Sequence, residues 1–492
     1  MRVAIIGGGV AGLAAAYELE LARAAGGPGG AVEYTLFEAG DRLGGVVCSE
    51  GVNGAVLERG PDSFLTEKPA AAELCRELGL GSELVASNDG ARKTYIVVKN
   101  RLVALPDGLM FLVPTKLIPT LTTRLFGLGT KIRMGLELLH APRRPEHGDE
   151  AVATLVERHY GMEAVERLAD PLLSGIFGGD ASQLSARAVL PRLVEMENEY
   201  GSLTRGMLAA HRKMRAKAKA LNSAGNENRQ PGAARGVFTA LRGGMQQLVD
   251  ALQARLEAGR VRLGTAVSGL EPVDGGWMVR ARGVAEFYDF VIVATPAWAA
   301  AVLLRGVDAE LCGELEQIPY SSSITVNLVY DENRLGQLPD GFGFLVPASE
   351  GRAMLACTFV HRKFLGRTPV GKVVLRAFLG GVKHEALLAE TDGALVGTVR
   401  RELKEILGDS VVGLGIEPEH TQVSRWRRAM AQYAVGHLER VGRIGARVAG
   451  LPGLRLVGNA YDGIGISDCI RLGRNAAREL IAASESARQP VG

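Results

Sequence analysis

The feature that most constrains the fold of this chain is its first twelve residues, MRVAIIGGGVAG. A short apolar strand runs into Gly7, Gly9 and Gly12, which form a G-x-G-x-x-G turn, and an apolar helix follows over 13–21. Such glycines let the strand turn tightly, let the backbone approach a pyrophosphate, and let helix and strand pack closely. The turn predicts a dinucleotide-binding fold in which a helix N-terminus faces an anion.

A second strand, predicted over 32–37, ends at Glu38. In a dinucleotide-binding fold an acidic residue at this strand end hydrogen-bonds the ribose hydroxyls, usually about 20 residues after the glycine turn. Glu38 lies 26 positions after Gly12, because the glycine-rich segment 26–30 lengthens the connection. We therefore expect Glu38 to bind ribose; a solvated strand end is the alternative.

The composition excludes several classes of protein. The 57 basic and 54 acidic residues of this 492-residue chain give a net charge of +3, too balanced for a nucleic-acid-binding surface. The five cysteines form no C-x-x-C pair and the eight histidines no H-x-x-x-H pair, so we expect neither a disulfide framework nor a metal site. A first strand at residue 2 leaves no room for a leader peptide, and no apolar run approaches the ~20 residues of a spanning helix. This favours a cytoplasmic protein.

The segments predicted to contact a cofactor are scattered along the chain. Besides the first turn and Glu38, they lie near residues 60, 267 and 464, and the last of these joins a buried strand to a final helix. A soluble nicotinamide cofactor is usually bound within one contiguous domain. Contacts spread over the whole chain indicate instead a long, retained dinucleotide such as FAD, whose ring reaches towards a second domain.

We therefore predict an α/β protein with a dinucleotide-binding, Rossmann-like FAD domain built from several chain segments. Residues 1–95, 236–300 and 421–492 are assigned to this domain, and the apolar strand FVIVAT is expected beside the first strand in one sheet. Residues 301–420 alternate strands with a helix and are assigned to an α+β substrate domain. Residues 96–235 are assigned to a helical insert.

The helical insert contains an apolar and basic stretch over 102–140, in which Arg124, Lys131 and Arg133 are interspersed among leucines. This pattern is typical of short amphipathic helices. Our interpretation is a helical domain with an ordinary solvated face. A surface that rests on a membrane interface is the alternative.

The sequence contains no side-chain triad or carboxylate pair with recognisable spacing. We therefore assign no catalytic side chain and expect the redox chemistry to come from the cofactor, while the protein binds and orients it. Arg42, next to a pair of glycines in DRLGG, is expected to pair with a phosphate of the cofactor.

Six motifs together resemble the porphyrinogen oxidases of the flavin amine oxidase superfamily: GGGVAGLAAAYEL, FEAGDRLGG, ERGPDSF, GIFGGDASQLS, VIVATP and GNAYDGIGISDCI. The resemblance covers nearly the whole chain, and its most specific motifs are GPDSF and GIFGGDASQLS. It implies an FAD domain in several chain segments, a substrate domain, and a helical insert that rests on membranes in some members.

The resemblance also implies roles for individual residues. The loop residues Gly175, Ile176 and Phe177 are similar to the wall beside the substrate macrocycle. Arg59 is a candidate anchor for a propionate, with a surface arginine as the alternative. The implied FAD contacts are Gly7, Gly8, Gly9, Val10, Ala11, Gly12, Glu38, Ala39, Arg42, Gly45, Gly60, Pro61, Asp62, Ser63, Val267, Trp426, Ile464, Gly465 and Ile466.

The implied activity is the oxidation of a porphyrinogen to a porphyrin in haem biosynthesis. The absence of a spanning apolar run and the weak membrane signal favour coproporphyrinogen III, which is oxidised to coproporphyrin III. Three flavin cycles remove six electrons, each by hydride transfer from a meso-methylene carbon to flavin N5, and dioxygen is reduced to hydrogen peroxide. Protoporphyrinogen IX is the alternative substrate, and another flavin amine oxidase or a carotenoid desaturase is the alternative class. The implied partners are the porphyrinogen and dioxygen, a peripheral membrane contact, and either a ferrochelatase that takes over the product or a second copy of the chain.

Overall fold

A computed structural model describes residues 1–26, 32–110, 112–142, 148–223, 236–413 and 415–486. Most of the glycine-rich segment that lengthens the interval between Gly12 and Glu38 lies outside these residues. The strands, in chain order, are β1 (Arg2–Ile6), β2 (Glu33–Phe37), β3 (Ser49–Val52), β4 (Ala55–Glu58), β5 (Phe64–Leu65), β6 (Leu84–Ala86), β7 (Thr94–Val98), β8 (Arg101–Ala104), β9 (Leu109–Met110), β10 (Val113–Pro114), β11 (Phe238–Leu241), β12 (Val261–Arg262), β13 (Val267–Val273), β14 (Gly276–Ala281), β15 (Val284–Tyr288), β16 (Phe290–Val293), β17 (Tyr320–Asp331), β18 (Gly343–Leu345), β19 (Met354–Phe359), β20 (Lys372–Gly380), β21 (His420–Ala431) and β22 (Leu454–Leu456).

Helices cover the sheets and also form a separate layer between β10 and β11. In chain order they are α1 (Val10–Ala25), α2 (Pro69–Glu77), α3 (Leu117–Thr122), α4 (Leu128–Leu136), α5 (Val152–Tyr160), α6 (Met162–Ala164), α7 (Asp170–Phe177), α8 (Ala186–Val189), α9 (Pro191–Tyr200), α10 (Leu203–Ser223), α11 (Gln246–Gln253), α12 (Ala297–Leu304), α13 (Ala309–Glu316), α14 (Val360–Lys363), α15 (Asp392–Leu407), α16 (His437–Ala449) and α17 (Ile466–Ser486).

A parallel sheet with the strand order β12-β2-β1-β16-β22 carries the glycine turn. Its central strand β1 is buried from Val3 to Ile6 and pairs with β2 on one side and β16 on the other, which confirms that the apolar strand FVIVAT lies beside the first strand. Parallel sheets are normally covered on both faces, and here α1 and α17 pack against each other on one of them. At their crossing, a Cβ on Gly473 would overlap the Ala11 carbonyl oxygen.

A second sheet of seven strands has the order β21-β17-β20-β19-β18-β7-β8. Most of its pairs are antiparallel, whereas β18 pairs with β7 in parallel. Its outer strands come from segments that the sequence assigned elsewhere: β7 and β8 fall largely in the predicted helical insert, and β21 opens the segment 421–492. The seven-stranded sheet thus draws strands from all three predicted segments, and the domain assignment stays a prediction.

The helical layer packs around its own apolar core, which includes Leu155, Tyr160, Leu168, Leu173 and Leu203. None of the helices in the described part of the chain is long and apolar enough to cross a membrane. Six large aliphatic side chains of this layer are nevertheless between 55% and 77% exposed: Ile118, Leu121, Leu128, Ile132, Leu136 and Leu139. We call these six residues the apolar face; they do not form the polar solvated face that our interpretation of the sequence predicts.

Two small sheets bring distant segments to the glycine turn. β11 pairs with β5 and β6, which fixes the chain just after Ser63. The hairpin of β3 and β4 fixes the chain just before Gly60. The sequence from 60 to 63 is therefore held at both ends as a short turn.

Candidate functional site

The three glycines of the first turn have separate structural roles. Gly7 adopts φ +109°, which a residue with a side chain rarely adopts, and a Cβ on Gly12 would overlap the Gly7 carbonyl oxygen. A Cβ on Gly9, in contrast, would meet no atom within 4 Å. Gly7 and Gly12 are thus required by the fold itself, whereas Gly9 borders open space at the start of α1.

The N-terminus of α1 is available to an anion. The residue that precedes it, Gly9, offers no side chain to cap the helix, and the first turn contains no acidic residue. The N–H groups of Val10, Ala11 and Gly12 therefore point out of the helix end with the positive end of the helix dipole. This arrangement fits a pyrophosphate at Gly9.

Glu38 lies directly beside this turn. Its Oε2 accepts the backbone N–H of Gly8 at 2.7 Å, and its Oε1 accepts that of Gly40 at 2.7 Å. The Glu38 carbonyl accepts the N–H of Thr265 at 2.8 Å, which places the start of β13, and with it Val267, near the same strand end. Glu38, predicted to bind ribose, thus lies at the same strand end as Ala39 and Val267, which were predicted to contact FAD.

The DRLGG segment forms the opposite wall of the turn. Gly44 donates to the Gly8 carbonyl at 2.8 Å, and a Cβ on Gly45 would lie 3.3 Å from the Gly9 Cα. The guanidinium of Arg42 donates to the carbonyls of Leu43, Val47 and Gly45. Arg42, expected to pair with a phosphate, therefore serves in this structure to hold the segment against the glycine turn.

The turn Gly60–Ser63 continues from that wall. A Cβ on Gly60 would overlap the Val46 carbonyl oxygen and would lie 3.7 Å from the Trp426 ring. The Arg59 carbonyl accepts the Trp426 indole N–H at 2.7 Å and the Thr325 hydroxyl at 2.9 Å. Gly9, Gly45, Gly60 and Trp426 are therefore linked by successive contacts, which we call the path.

Asp62 of this turn is directed into the protein. Its Oδ1 accepts the Ser63 hydroxyl at 2.6 Å and its Oδ2 accepts the Lys363 ammonium at 2.9 Å. Burial opposes ionisation of Asp62, but Lys363 and Arg376 outweigh it and hold the pKa of this carboxyl well below its ordinary value. The Asp62 carboxylate thus faces Ser63 and Lys363 in the structure, and the cofactor contact of Asp62 stays a prediction.

The C-terminal segment joins the site at the N-terminus of α17. Asp468 in its first turn accepts the Gly465 N–H at 3.2 Å and the Lys68 ammonium at 2.6 Å. The Gly463 N–H donates to the Tyr433 hydroxyl at 2.9 Å. The segment Ile464–Ile466 is therefore tied both to the chain that follows Ser63 and to the residues after β21.

The predicted substrate wall is not a loop. Gly175, Ile176 and Phe177 form the last turn of α7, which ends where Gly178 takes a left-handed conformation at φ +56°. Ile176 is 57% exposed although it lies at the junction of the helical layer and the seven-stranded sheet. An apolar side chain exposed in such a junction fits the wall of an apolar ligand.

Side chains that the sequence did not single out fix this helix end. The Phe177 carbonyl accepts the Gln432 amide at 2.7 Å and the Ser321 hydroxyl at 3.2 Å. At the other end of α7, Asp170 pairs with Lys383 at 2.8 Å. No spacing rule connects these residues, so only the folded chain reveals them.

Arg59, the candidate anchor for a propionate, is half-buried and donates from Nε to the Ser424 hydroxyl at 3.1 Å.

A buried histidine network also escaped the sequence analysis. His159 makes hydrogen bonds from both ring nitrogens, to Glu137 at 2.9 Å and to Glu197 at 3.2 Å, and Glu137 in turn accepts the Leu203 N–H at the start of α10. Glu137, His140 and His159 also place potential metal ligands close together. Because both nitrogens of His159 and the carboxylate of Glu137 are already hydrogen-bonded, the arrangement is that of a structural ion network.

The combined geometry fits a dinucleotide. The open space at Gly9, the helix N-terminus behind it and the carboxylate of Glu38 match a pyrophosphate and a ribose at one end of the path. Gly60, Trp426 and the N-terminus of α17 lie towards the other end. FAD is long enough to require both ends, and when bound it supplies the redox-active ring.

The comparisons with known proteins agree with this geometry. Residues 10–481 match the model of the family described as flavin containing amine oxidoreductase. The chain is 32% identical to the coproporphyrinogen III oxidase of Bacillus subtilis (strain 168) over 98% of both chains. It is 34% identical to that of Propionibacterium freudenreichii subsp. freudenreichii over 99% of this chain and 92% of the relative.

The fold is also found in solved structures. A crystal structure from Exiguobacterium sp. 255-15, provisionally named a protoporphyrinogen oxidase, superimposes with a TM-score of 0.83 at 31% identity and covers 98% of this chain and 99% of its own. An α/β fold with an FAD-binding, Rossmann-like part and a substrate-binding part is thereby confirmed. The chain belongs to the flavin containing amine oxidoreductase family and is an FAD-dependent oxidoreductase.

Proposed function

We propose that this protein oxidises coproporphyrinogen III to coproporphyrin III. The observation that carries the proposal is its end-to-end similarity to two proteins named coproporphyrinogen III oxidase. The site supports it, because the exposed Ile176 at the end of α7 offers an apolar wall for a flat macrocycle. Protoporphyrinogen IX, the substrate implied by the name of the Exiguobacterium protein, is the alternative.

The chain's own residues bind and orient the reactants in this proposal. The glycine turn and Glu38 hold the pyrophosphate and ribose, and the Gly60–Ser63 turn and the N-terminus of α17 hold the ring end of the cofactor. The last turn of α7 positions the macrocycle, with Phe177 fixed by Gln432 and Ser321. Arg59 pairs with a propionate through its Nη groups. A flavin held by these residues would supply the ring that accepts a hydride, and the described site assigns no side chain to the hydride transfer.

Dioxygen is the proposed electron acceptor. Conversion of a porphyrinogen to a porphyrin removes six electrons and six protons, so three dioxygen molecules are reduced to three molecules of hydrogen peroxide. Each two-electron oxidation of the substrate would therefore consume one dioxygen molecule.

We also propose a peripheral membrane contact through the apolar face. Leu128, Ile132 and Leu136 lie on one side of α4 at intervals of four residues and are all more than half exposed. Lys116 and Arg124, both exposed, add positive charge to the chain segment that precedes α4. Aliphatic side chains bordered by basic ones suit an anionic lipid surface. A ferrochelatase that receives the product and a second copy of the chain are the alternative occupants.

Anaerobic reduction of the bound flavin tests the proposed reaction. The holoenzyme is mixed with coproporphyrinogen III or protoporphyrinogen IX, flavin bleaching is followed at its visible absorption band, and dioxygen is then admitted. We expect faster bleaching by coproporphyrinogen III, return of the flavin band with hydrogen peroxide, and the absorption spectrum of coproporphyrin III. Faster bleaching by protoporphyrinogen IX would favour the alternative substrate, and bleaching by neither would overturn the proposal.

A further inference from the structure

Five charged side chains lie together beneath the Gly60–Ser63 turn, three of them buried and two partly buried. Two belong to the chain around the turn and three to the region from α14 to β20. Arg367 and Arg376 are only 1% and 2% exposed, which is unusual for arginine. The members of this group, which we call the charged cluster, are Glu58, Asp62, Lys363, Arg367 and Arg376.

The pairing within the charged cluster is specific. Arg367 pairs with Glu58, and Lys363 pairs with Asp62 at 2.9 Å between Nζ and Oδ2. Arg376 lies 3.7 Å from the same Asp62 oxygen and donates a hydrogen bond to the Gly60 carbonyl. Two cations therefore share one carboxylate, and one of them is bonded to the turn backbone.

The charged cluster has an excess of one positive charge. Among the residues that the structure describes, its three cations are within ion-pair distance of two carboxylates only. The Nε atoms of Arg367 and Arg376 are buried without a hydrogen-bond partner. Because an uncompensated buried charge is costly, this site is short of one negative charge.

We propose that the charged cluster tunes the bound flavin electrostatically, by stabilising the negative charge that the ring carries when reduced. A neutral oxidised flavin that takes up two electrons and one proton becomes an anion, so the missing charge appears only in the reduced state. Arg376 is a positioning residue here, because it is almost fully covered and acts through the Gly60 carbonyl. Where water is excluded, the attraction between the positive charge of the cluster and a negative ring on the other side of the turn is only weakly screened.

The proposal rests on the assignment of the Gly60–Ser63 turn to the ring end of the flavin. A substrate carboxylate does not explain the cluster equally well. Such a group is charged throughout the reaction and would need direct access, whereas the two arginine side chains are almost fully covered.

The midpoint potential of the holoenzyme flavin tests the proposal, measured by anaerobic titration with a reference dye. Lys363→Met and Arg376→Met each remove one positive charge, and Asp62→Asn removes one negative charge. We expect the first two to lower the ratio of reduced to oxidised flavin at a fixed potential about tenfold, or about 30 mV for two electrons, and Asp62→Asn to raise it. Arg376→Lys keeps the charge and should remain close to the wild type.

Opposite shifts separate an electrostatic role from structural damage, which would not follow the sign of the charge removed. Arg352→Met is the matched control, since this arginine is also largely buried in the same part of the chain but pairs with Glu405. If Arg376→Met fails to fold, the potentials of Lys363→Met and Asp62→Asn still test whether the shift follows the sign of the charge removed. Equal potentials, or shifts of one sign in all folded variants, would overturn the inference. Expected shifts in an enzyme that oxidises neither porphyrinogen would overturn the proposed function alone.

Discussion

Glu38 and Gly8, thirty positions apart in the chain, are joined by a hydrogen bond of 2.7 Å between the Gly8 backbone N–H and Glu38 Oε2. This bond fixes the end of β2 against the turn that follows β1, so that the acidic side chain and the helix N-terminus border the same space. The two parts of the dinucleotide signature are thus assembled by the backbone itself.

Glu38→Gln should weaken FAD binding, because an amide presents one acceptor oxygen where the carboxylate presents two charged ones. Loss of hydrogen bonds to a charged group is worth about 1–3 kcal/mol, or roughly tenfold or more in affinity. The affinity for FAD is measured by fluorescence titration of the apoprotein with FAD. Glu33→Gln, at the exposed start of the same strand, is the control, and an unchanged affinity in Glu38→Gln would exclude a ribose contact.

Gly9→Ala should reduce FAD binding, whereas Gly12→Ala should reduce the stability of the fold. The backbone of Gly9, at φ −71° and ψ 178°, suits alanine, and its Cβ would enter open space, so the apoprotein should keep its melting temperature but retain little FAD. A Cβ on Gly12 would overlap the Gly7 carbonyl oxygen, so this variant should lose stability. The flavin content of the purified protein and the melting curve of the apoprotein distinguish them. Full flavin content in Gly9→Ala would place the pyrophosphate elsewhere.

Lys383→Met should impair substrate binding more than flavin binding. Lys383 holds Asp170 at the start of α7, and without it the helix end that carries Ile176 loses an anchor. We expect KM for the porphyrinogen to rise several-fold at an unchanged flavin content. Lys372→Met, at the surface end of β20 beside Glu419, is the matched control. A fall in kcat alone, with KM unchanged, would contradict a role in positioning the wall.

The His159 network should give the protein a pH-dependent stability. Burial disfavours the imidazolium, but hydrogen bonds to Glu137 and Glu197 outweigh it and raise the pKa of His159 above its ordinary 6.5. Its contribution is therefore complete below pH 6.5 and is lost as the pH rises through the raised pKa. Burial likewise opposes ionisation of the two glutamates, but their hydrogen bonds to His159 lower their pKa below the ordinary 4.5, so their contribution is lost only as the pH falls below that value.

The measurement for this network is the difference in melting temperature between the wild type and His159→Gln across the pH range. It should be largest between about pH 4.5 and 6.5, where the ordinary values place all three groups in their charged forms. His420→Gln, on the distant strand β21, should show no such profile. A difference that keeps growing above pH 8 would mean that His159 is held neutral.

The double variant Leu128→Glu, Ile132→Glu should abolish binding to anionic membranes, because it places two charges on the apolar face. Cosedimentation with phosphatidylglycerol vesicles measures it, and phosphatidylcholine vesicles test the contribution of Lys116 and Arg124. Val302→Glu alters an equally exposed aliphatic residue on α12 and is the control. If the wild type does not sediment but forms dimers that the double variant lacks, the face joins two copies of the chain. If it instead retains a ferrochelatase on a column, the face serves that partner.

Those features of this protein that depend on residues close together in the chain could be predicted from its sequence. The glycine turn required Gly7 and Gly12 for backbone reasons that act within a few residues, and the apolar strands β1 and β16 could only be central in a covered sheet. The identity of the cofactor followed from these signals together with the motifs spread along the chain. The wall residues were found by motif, but their place on a helix rather than in a loop was not.

The pairing of the charged side chains could not be predicted and is seen only in the folded chain. The Arg42 guanidinium donates hydrogen bonds to nearby backbone carbonyls. Asp62 pairs with Lys363 and Arg376, which lie more than 300 positions away in the chain. His159 lies between two glutamates that no spacing rule connects. The pairing of β7 and β21 with the other strands of the seven-stranded sheet has the same origin. Turns and amphipathic periods are set by short-range sterics, whereas ion pairs and sheet edges depend on which distant segments meet after the chain has folded.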